Sequence, residues 1–268
     1  MRVALTIAGS DSGAGAGVQA DLKTFAAHGV YGTSAITAIT AQNTVGVSMI
    51  EALSADLVTA QIEAVMSDIG AHAAKTGMLA TAAIVESVAA AVQDLEVPLL
   101  VIDPVMVAKS GERLLDDEAI GAMTSELLRL AFVVTPNIPE AEVLSGITIT
   151  NAEDRREAAR RIHALGPAAV IVKGGHIPTG PIVDLLYDGH QFREFTGTRV
   201  PGPHTHGTGC TFSAALASHL ARGKTLPEAI PLAQAYVAGA IGAGLELGRG
   251  RGPMNHFWAM HRSDALES

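Results

Sequence analysis

An α/β fold built on a mostly parallel sheet is predicted by three observations. Short apolar runs alternate with longer segments of helical period, the arrangement of repeated strand–helix units. Several of these runs end in a polar residue, glycine or proline, after which the helical pattern begins. No proline- or serine-rich linker and no internal repeat divides the 268 residues, so residues 1–248 read as one domain, with a tail over 249–268.

Taken in order, the first strand is RVALTIA (2–8), and the glycine-rich AGSDSGAGAGVQADLKTF (8–25) leads it into a helix over 16–28. SAITAIT (34–40) is the second strand, and a helix over 55–69 follows. AAKTG (73–77) precedes a helix over 80–94, and PLLVID (98–103) precedes one over 116–130. AFVVTP (131–136) and AAVIVKG (168–174) bracket a helix over 151–165. DLLYD (184–188) and QFREF (191–195) flank Gly189-His190 and read as an antiparallel hairpin. Helices over 210–222 and 227–246 complete the pattern. In such a sheet, ligands are expected beyond the carboxyl ends of the strands.

Composition narrows the function. A formal charge of −9 argues against nucleic acid or an anionic membrane as partner, while leaving room for a small phosphate ligand met by local positive groups. Residues 24–50 lack Asp, Glu, Lys and Arg, but Gly29, Gly32, Gln42, Asn43 and Gly46 interrupt them, so a buried segment is expected rather than a membrane span. A single cysteine excludes an intrachain disulfide, and the chain opens as a strand without a signal-peptide pattern; a cytoplasmic protein is the expectation.

The lone Cys210 stands in HTHGTGCTFSAALASHL (204–220), at the start of a helix. Unpaired backbone N–H groups and the positive helix end attract an anion there, and Gly207 and Gly209 allow close backbone approach. The same position is expected to lower the thiol pKa; the plainer alternative is a small buried hydrophobe. His204, His206 and Cys210 lack a fourth partner and make a poor zinc site.

The glycine-rich turn fails as a dinucleotide fingerprint, because valine occupies position 18 and no acid follows about 20 residues on. SHLARGKT (218–225) ends like a P-loop, but Ser218 replaces the first glycine and a helix precedes it. Asp103, Asn137 and Glu140 place hard oxygen ligands at successive strand ends, suited to magnesium that keeps its waters and bridges phosphates. Lys173 adds a positive charge at another strand end. Each has a structural alternative, Asp103 as a turn starter before proline and Glu140 as a first-turn helix acid.

AGSD, AGVQADLKTF, TAQNTVGV, KTGML, DPVMVAKSG, NIPEAEVLSG, VKGGH and HGTGCTFSAALAS occur in this order. From about residue 3 to residue 240 the chain thereby resembles bacterial hydroxymethylpyrimidine/phosphomethylpyrimidine kinases, thiamin-biosynthesis enzymes of the ribokinase-like superfamily. The resemblance implies a three-layer αβα fold with a mostly parallel central sheet, usually as a homodimer. It implies two ATP-dependent phosphorylations, of 4-amino-5-hydroxymethyl-2-methylpyrimidine and then of its monophosphate. By matching motif, Gln42 would read the pyrimidine edge, with Ala16, Asp21, Met78 and Val105 lining the pocket. Asp103, Asn137 and Glu140 would serve Mg2+ and the ATP phosphates, Lys173 would stabilise the transferring group, and Gly207, Thr208, Gly209 and Cys210 would form an anion hole. Cys210 would stand where related kinases have a catalytic aspartate, as base or as part of that hole. Gly13-Ala14 departs from the family's usual Ser-Gly, and VPGPHTH lacks its Lys-Asn pair. Pyridoxal kinase is the neighbouring alternative, since its substrate also carries a hydroxymethyl arm on a nitrogen heterocycle; Gln42 favours the aminopyrimidine. A non-catalytic sensor is the alternative from another class, opposed by the presence of Asp103, Glu140, Lys173 and Cys210 together.

Overall fold

Successive side chains of a strand point to opposite faces, and the central strands bury both faces. Leu5 and Ile7, Ala74, Leu100 and Ile102, Val134, and Val170 and Val172 belong to one core. Their neighbours Ala4, Ala73, Val101, Val133 and Ile171 belong to another. Each face needs its own helical cover, and the chain folds as three layers.

The computed structural model describes residues 1–107, 114–175, 180–202, 204–250 and 252–260. Ala108, Lys109, Ser110 and Gly111 of DPVMVAKSG, His176 of VKGGH, and tail residues 251 and 261–268 lie outside the described residues. The strands are β1 (Val3–Asp11), β2 (Tyr31–Gln42), β3 (Val47–Ala52), β4 (Ala73–Thr76), β5 (Leu100–Ile102), β6 (Val133–Val134), β7 (Val170–Val172), β8 (Ile182–Tyr187) and β9 (Phe192–Gly197). They form one sheet in the order β3-β2-β1-β4-β5-β6-β7-β8-β9. Pairing is parallel from β2 to β7 and antiparallel at both edges.

The helices are α1 (Gly17–Ala27), α2 (Ala55–Asp68), α3 (Ala82–Asp94), α4 (Asp117–Ala122), α5 (Ile138–Ser145), α6 (Ala152–His163), α7 (Thr208–Ala221) and α8 (Leu226–Gly242). Helices α2–α6 cover the first core, and α1, α7 and α8 the second. None of the described helices is long and apolar enough to cross a membrane.

Three elements differ from the sequence reading. β3 forms an additional edge strand whose residues are all exposed or half-buried; with neither face covered, it has no period-two pattern to betray it. α5 is a separate helix, closed at its start by a capping box between Asn137 and Glu140 and at its end by left-handed Gly146. The expected helix over 116–130 is one segment of changing pitch, α4 passing into a π turn and a 3-10 turn.

After α8, the described residues of the 243–260 stretch pack back on the domain. Leu245 N–H donates to Pro253 O, and Asn255 N–H to Ala240 O, at 3.1 and 3.0 Å. Met254 and His256 are buried, and the Tyr236 hydroxyl donates to the His256 carbonyl at 2.7 Å. Gly250 N–H donates to Thr44 Oγ1 at 3.2 Å, and Pro253 forms a bridge with His206. This segment therefore braces two loops that frame the site.

Candidate active site

From β1 the chain proceeds to β2 on one side, and β4 adds to β1 on the other. At such a switch point the loops diverge and leave a crevice. A cavity of about 770 Å³ opens there, within the range of small-molecule sites.

Gln42, Ala16, Met78 and Val105 line it. The β2–β3 register shifts between Ala41 and Gln42, a bulge of the kind that re-aims a side chain. Ser12 pins the Gln42 backbone twice, its hydroxyl donating to Gln42 O at 2.7 Å and accepting from Gln42 N at 2.8 Å. The Gln42 amide nitrogen lies 3.2 Å from His206 Nε2.

Asp21 does not line the cavity, contrary to the expectation carried over from the resemblance. It is fully buried behind the wall, accepting hydrogen bonds from Lys75 Nζ at 2.9 Å and Thr6 Oγ1 at 2.6 Å. α1 turns this residue toward the sheet, where burial pushes its carboxyl up while the Lys75 ammonium and Thr6 hydroxyl pull it down. Lys75 belongs to the cavity wall, although its side chain is as inaccessible to solvent as that of Asp21. Burial alone would discharge it, but the carboxylates of Asp21 and Asp103 outweigh burial and keep it a cation.

Asp103, Asn137, Glu140 and Lys173 line the same cavity. Lys173 Nζ donates to Asp103 Oδ1 at 2.9 Å. Burial pushes against its charge, and Asp103 and Glu140 more than restore it. The Asn137 side chain accepts from Glu140 N at 3.0 Å, and Glu140 Oε2 accepts from Asn137 N at 2.8 Å. Both alternatives for Glu140 therefore hold at once: it caps a helix and faces the cavity.

Burial pushes the Glu140 carboxyl up to about 7; the Lys173 charge and the N–H groups of Asn137 and Met106 oppose the rise, and Asp103 adds to it. The folded protein thus holds a proton that the unfolded chain, with an ordinary value of 4.5, has released. This favours folding below about 4.5 and is lost as pH rises through about 7. In protein free of nucleotide and divalent cation, the stability of wild type relative to Glu140→Gln is expected to fall over that interval. A difference independent of pH in urea titrations would contradict this.

Gly207, Thr208, Gly209 and Cys210 also line the cavity. Gly207 has φ +77° at the start of α7, and a Cβ there would overlap Gly15 O, so no other residue fits. The first-turn N–H groups of α7 have no carbonyl behind them within the helix and remain available to an anion. A methyl on Gly209 would lie 3.4 Å from both Lys173 Nζ and Asp103 Oδ2; loop, ammonium and carboxylate converge on one point. The expected lowering of the Cys210 thiol is not found. Burial pushes it up to about 11, Asp21 and Asp103 add to the rise, and Lys75 and the Gly17 N–H only partly offset it. Cys210 is a thiol at neutral pH.

Sequence reasoning missed Asp11, Lys75 and His206. Asp11 accepts from Gly13, Gly15 and Ala16 N–H at 2.8, 3.0 and 2.8 Å, and from His206 Nε2 at 2.9 Å. The glycine-rich turn thus spends these donors on its own carboxylate. Burial pushes Asp11 up, but the His206 and backbone hydrogen bonds prevail and hold it below the ordinary aspartate value. Asp11 stands in the quoted turn and Lys75 in KTGML, but only the fold shows what each meets.

Over residues 11–255 the sequence matches the model of the family described as phosphomethylpyrimidine kinase. It is 46% identical over 255 residues to the hydroxymethylpyrimidine/phosphomethylpyrimidine kinase of Bacillus subtilis (strain 168), covering 95% of this chain and 94% of that one. It is 50% identical over 255 residues to the thiamine biosynthesis bifunctional protein ThiED of Geobacter sulfurreducens, covering 95% of this chain; it spans about half of that longer protein, 52%. Among solved structures, the phosphomethylpyrimidine kinase of Clostridium difficile 630 superposes with a TM-score of 0.80 at 44% identity, over 90% of this chain and all (100%) of that one. An ADP complex of Bacillus subtilis pyridoxal kinase superposes with a TM-score of 0.90 at 40% identity, over 97% and 99% of the two chains.

Proposed function

The chain belongs to the phosphomethylpyrimidine kinase family, and from that premise we propose that it phosphorylates 4-amino-5-hydroxymethyl-2-methylpyrimidine to the monophosphate and then the diphosphate, for thiamin biosynthesis. ATP is the phosphoryl donor. The observation that carries this reading is that one cavity is lined by Gln42, by Lys173 and by the start of α7. An amide offers both an acceptor and donors to an aminopyrimidine, and an ammonium beside a helix start suits transferring phosphate.

Gln42 orients the heterocycle, with Met78, Val105 and Ala16 as apolar walls, and so presents the hydroxymethyl oxygen toward the anion loop. Lys173 and the N–H groups of residues 207–210 stabilise charge on the transferring group. The protonated thiol makes Cys210 a poor base; in the second step the nucleophile is a phosphate oxygen that needs little deprotonation. Phosphoryl transfer rests chiefly on positioning and charge stabilisation, so Cys210 serves as part of the anion hole. Cys210→Ser is expected to keep first-step turnover within about tenfold of wild type; a loss well beyond that in steady-state assays would restore the base role.

Asp103 and Glu140 fit Mg2+. They are hard oxygen donors, and Asp103 Oδ2 is left by the ion pair that Lys173 makes with Oδ1. No group of three or more ligating side chains is present among the described residues, so the ion would complete its shell with waters and phosphate oxygens. When bound it supplies neutralising charge at the ATP phosphates. Asn137, already engaged as a helix cap, holds Glu140 in place for this.

Exposed Met49, Ile50 and Val45 on and beside edge strand β3 support a homodimer formed through that edge. Met49→Asp combined with Ile50→Asp is expected to shift sedimentation from dimer to monomer, and an unchanged species would remove this edge from consideration. The single cysteine fits a reducing, cytoplasmic setting.

Pyridoxal kinase is the second reading, favoured by the likeness to the Bacillus subtilis pyridoxal kinase structure. Mass spectrometry of products formed with magnesium-ATP from the pyrimidine alcohol, and from pyridoxal in parallel, tests both. Pyrimidine monophosphate followed by diphosphate is expected. Phosphorylated pyridoxal alone would move the protein to the second reading, and no phosphorylation in either would point to a sensor.

A further inference from the structure

We propose that His206 is a specificity-determining positioning residue that fixes the orientation of the Gln42 amide. The inference rests on the reading of Gln42 as the contact to the heterocycle and goes beyond it, and it comes from counting hydrogens. Ionised Asp11 can only accept, so His206 Nε2, 2.9 Å from Asp11 Oδ2, carries the hydrogen between them. That nitrogen then has no lone pair for the Gln42 amide group 3.2 Å away. The Thr40 hydroxyl has one hydrogen, directed to Ser10 O at 2.7 Å, so toward the Gln42 amide, 3.2 Å distant, it acts as acceptor.

Both conditions are met by one arrangement, in which the Gln42 oxygen faces His206 and its NH2 group faces Thr40. His206 N–H is then shared between Asp11 and the Gln42 oxygen, while Gln42 donates to Thr40 and Thr40 to Ser10. One N–H and one lone pair of Gln42 remain for the ligand, in a set order. An aminopyrimidine offers a ring-nitrogen acceptor beside an exocyclic amine donor, which matches such a pair; pyridoxal has no amine at that position.

His206 is itself held firmly. Asp11 is locked by the three backbone N–H groups of the glycine-rich turn, a Cβ on Gly15 would overlap the imidazole ring, and the His206 backbone bridges to Pro253. Nothing in the motif HGTGC announces this role, because the partners come from positions 11 and 42.

The test is a double-mutant cycle with Gln42→Ala and His206→Ala, measuring KM and kcat for hydroxymethylpyrimidine and KM for ATP. Each single variant is expected to raise the pyrimidine KM about tenfold, as for one lost hydrogen bond, with the KM for ATP unchanged. The double variant is expected to match Gln42→Ala alone, since His206 acts through that amide. Multiplying effects, to about a hundredfold, would overturn the proposal while leaving Gln42 as the reader. A pyrimidine KM unaltered in Gln42→Ala would overturn the reading of Gln42 and this proposal with it. A rise in the KM for ATP equal to that for the pyrimidine would reduce His206 to a general structural role. Should His206→Ala fail to fold, Gly15→Ala, whose methyl displaces the ring, carries the same cycle.

Discussion

Lys173→Met is expected to lower kcat/KM by roughly 10²–10³-fold, the loss seen when a preorganised group facing developing charge is removed. Methionine reproduces the stem as far as Cε, so the effect isolates the ammonium. Lys173 Nζ sits 2.9 Å from Asp103 Oδ1, beside Gly209 of the anion loop, where the transferring group must pass. Its loss leaves Asp103 and Glu140 facing each other without a cation between them, and the Glu140 carboxyl, already raised, rises further. The anion end of the cavity then repels what it should hold. Arginine at this position would keep the charge but not the fit of a compact ammonium. Steady-state kinetics with saturating ATP check the expectation, and a kcat/KM within threefold of wild type would show that the loop N–H groups suffice alone.

Lys75→Met is expected to destabilise the fold by about 3–5 kcal/mol, the range for removing one partner of a buried ion pair. Lys75 and Asp21 are both fully inaccessible to solvent, and Asp21 Oδ1 has no hydrogen-bond partner even with the lysine in place. A carboxylate so situated has no reserve of donors to fall back on. Replacing both members, Lys75→Met with Asp21→Leu, is expected to recover most of the loss, because no charge is then left buried. Urea denaturation of the three variants measures this. Equal destabilisation in the single and double variants would mean that packing, and not the orphaned charge, sets the cost.

The legible parts of the sequence were those with a local cause. β1, β4, β5, β6 and β7 announce themselves as buried apolar runs with a turn signal at the end. The capping pattern Asn137-x-x-Glu140 was equally present for α5, but it lies so close behind β6 that the strand end absorbed it. β3 was illegible because residues exposed on both faces show no alternation. Within the site, motif residues at strand ends converge on one cavity, as parallel topology requires. Asp21 fails because helical position, not motif membership, decides which way a side chain turns. The expected lowering of the Cys210 thiol fails because burial, with Asp21 and Asp103, outweighs Lys75 and the Gly17 N–H. Asp11 and His206 are separated by 195 positions, a pairing that no local rule reaches.

The bracing of Thr44 by Gly250 joins positions 206 apart, and this has a consequence for the order of biosynthesis. Chains emerge from the ribosome at about 5–20 residues per second, with N-terminal parts folding first. A ribosome-bound chain displaying residues through α7 already contains Lys173, Asp103 and the anion loop. It lacks the segment over 245–258 that steadies the Gln42 loop and the His206 backbone. The Gln42 loop and the His206 backbone therefore gain their last brace only when the C-terminal segment has left the exit tunnel.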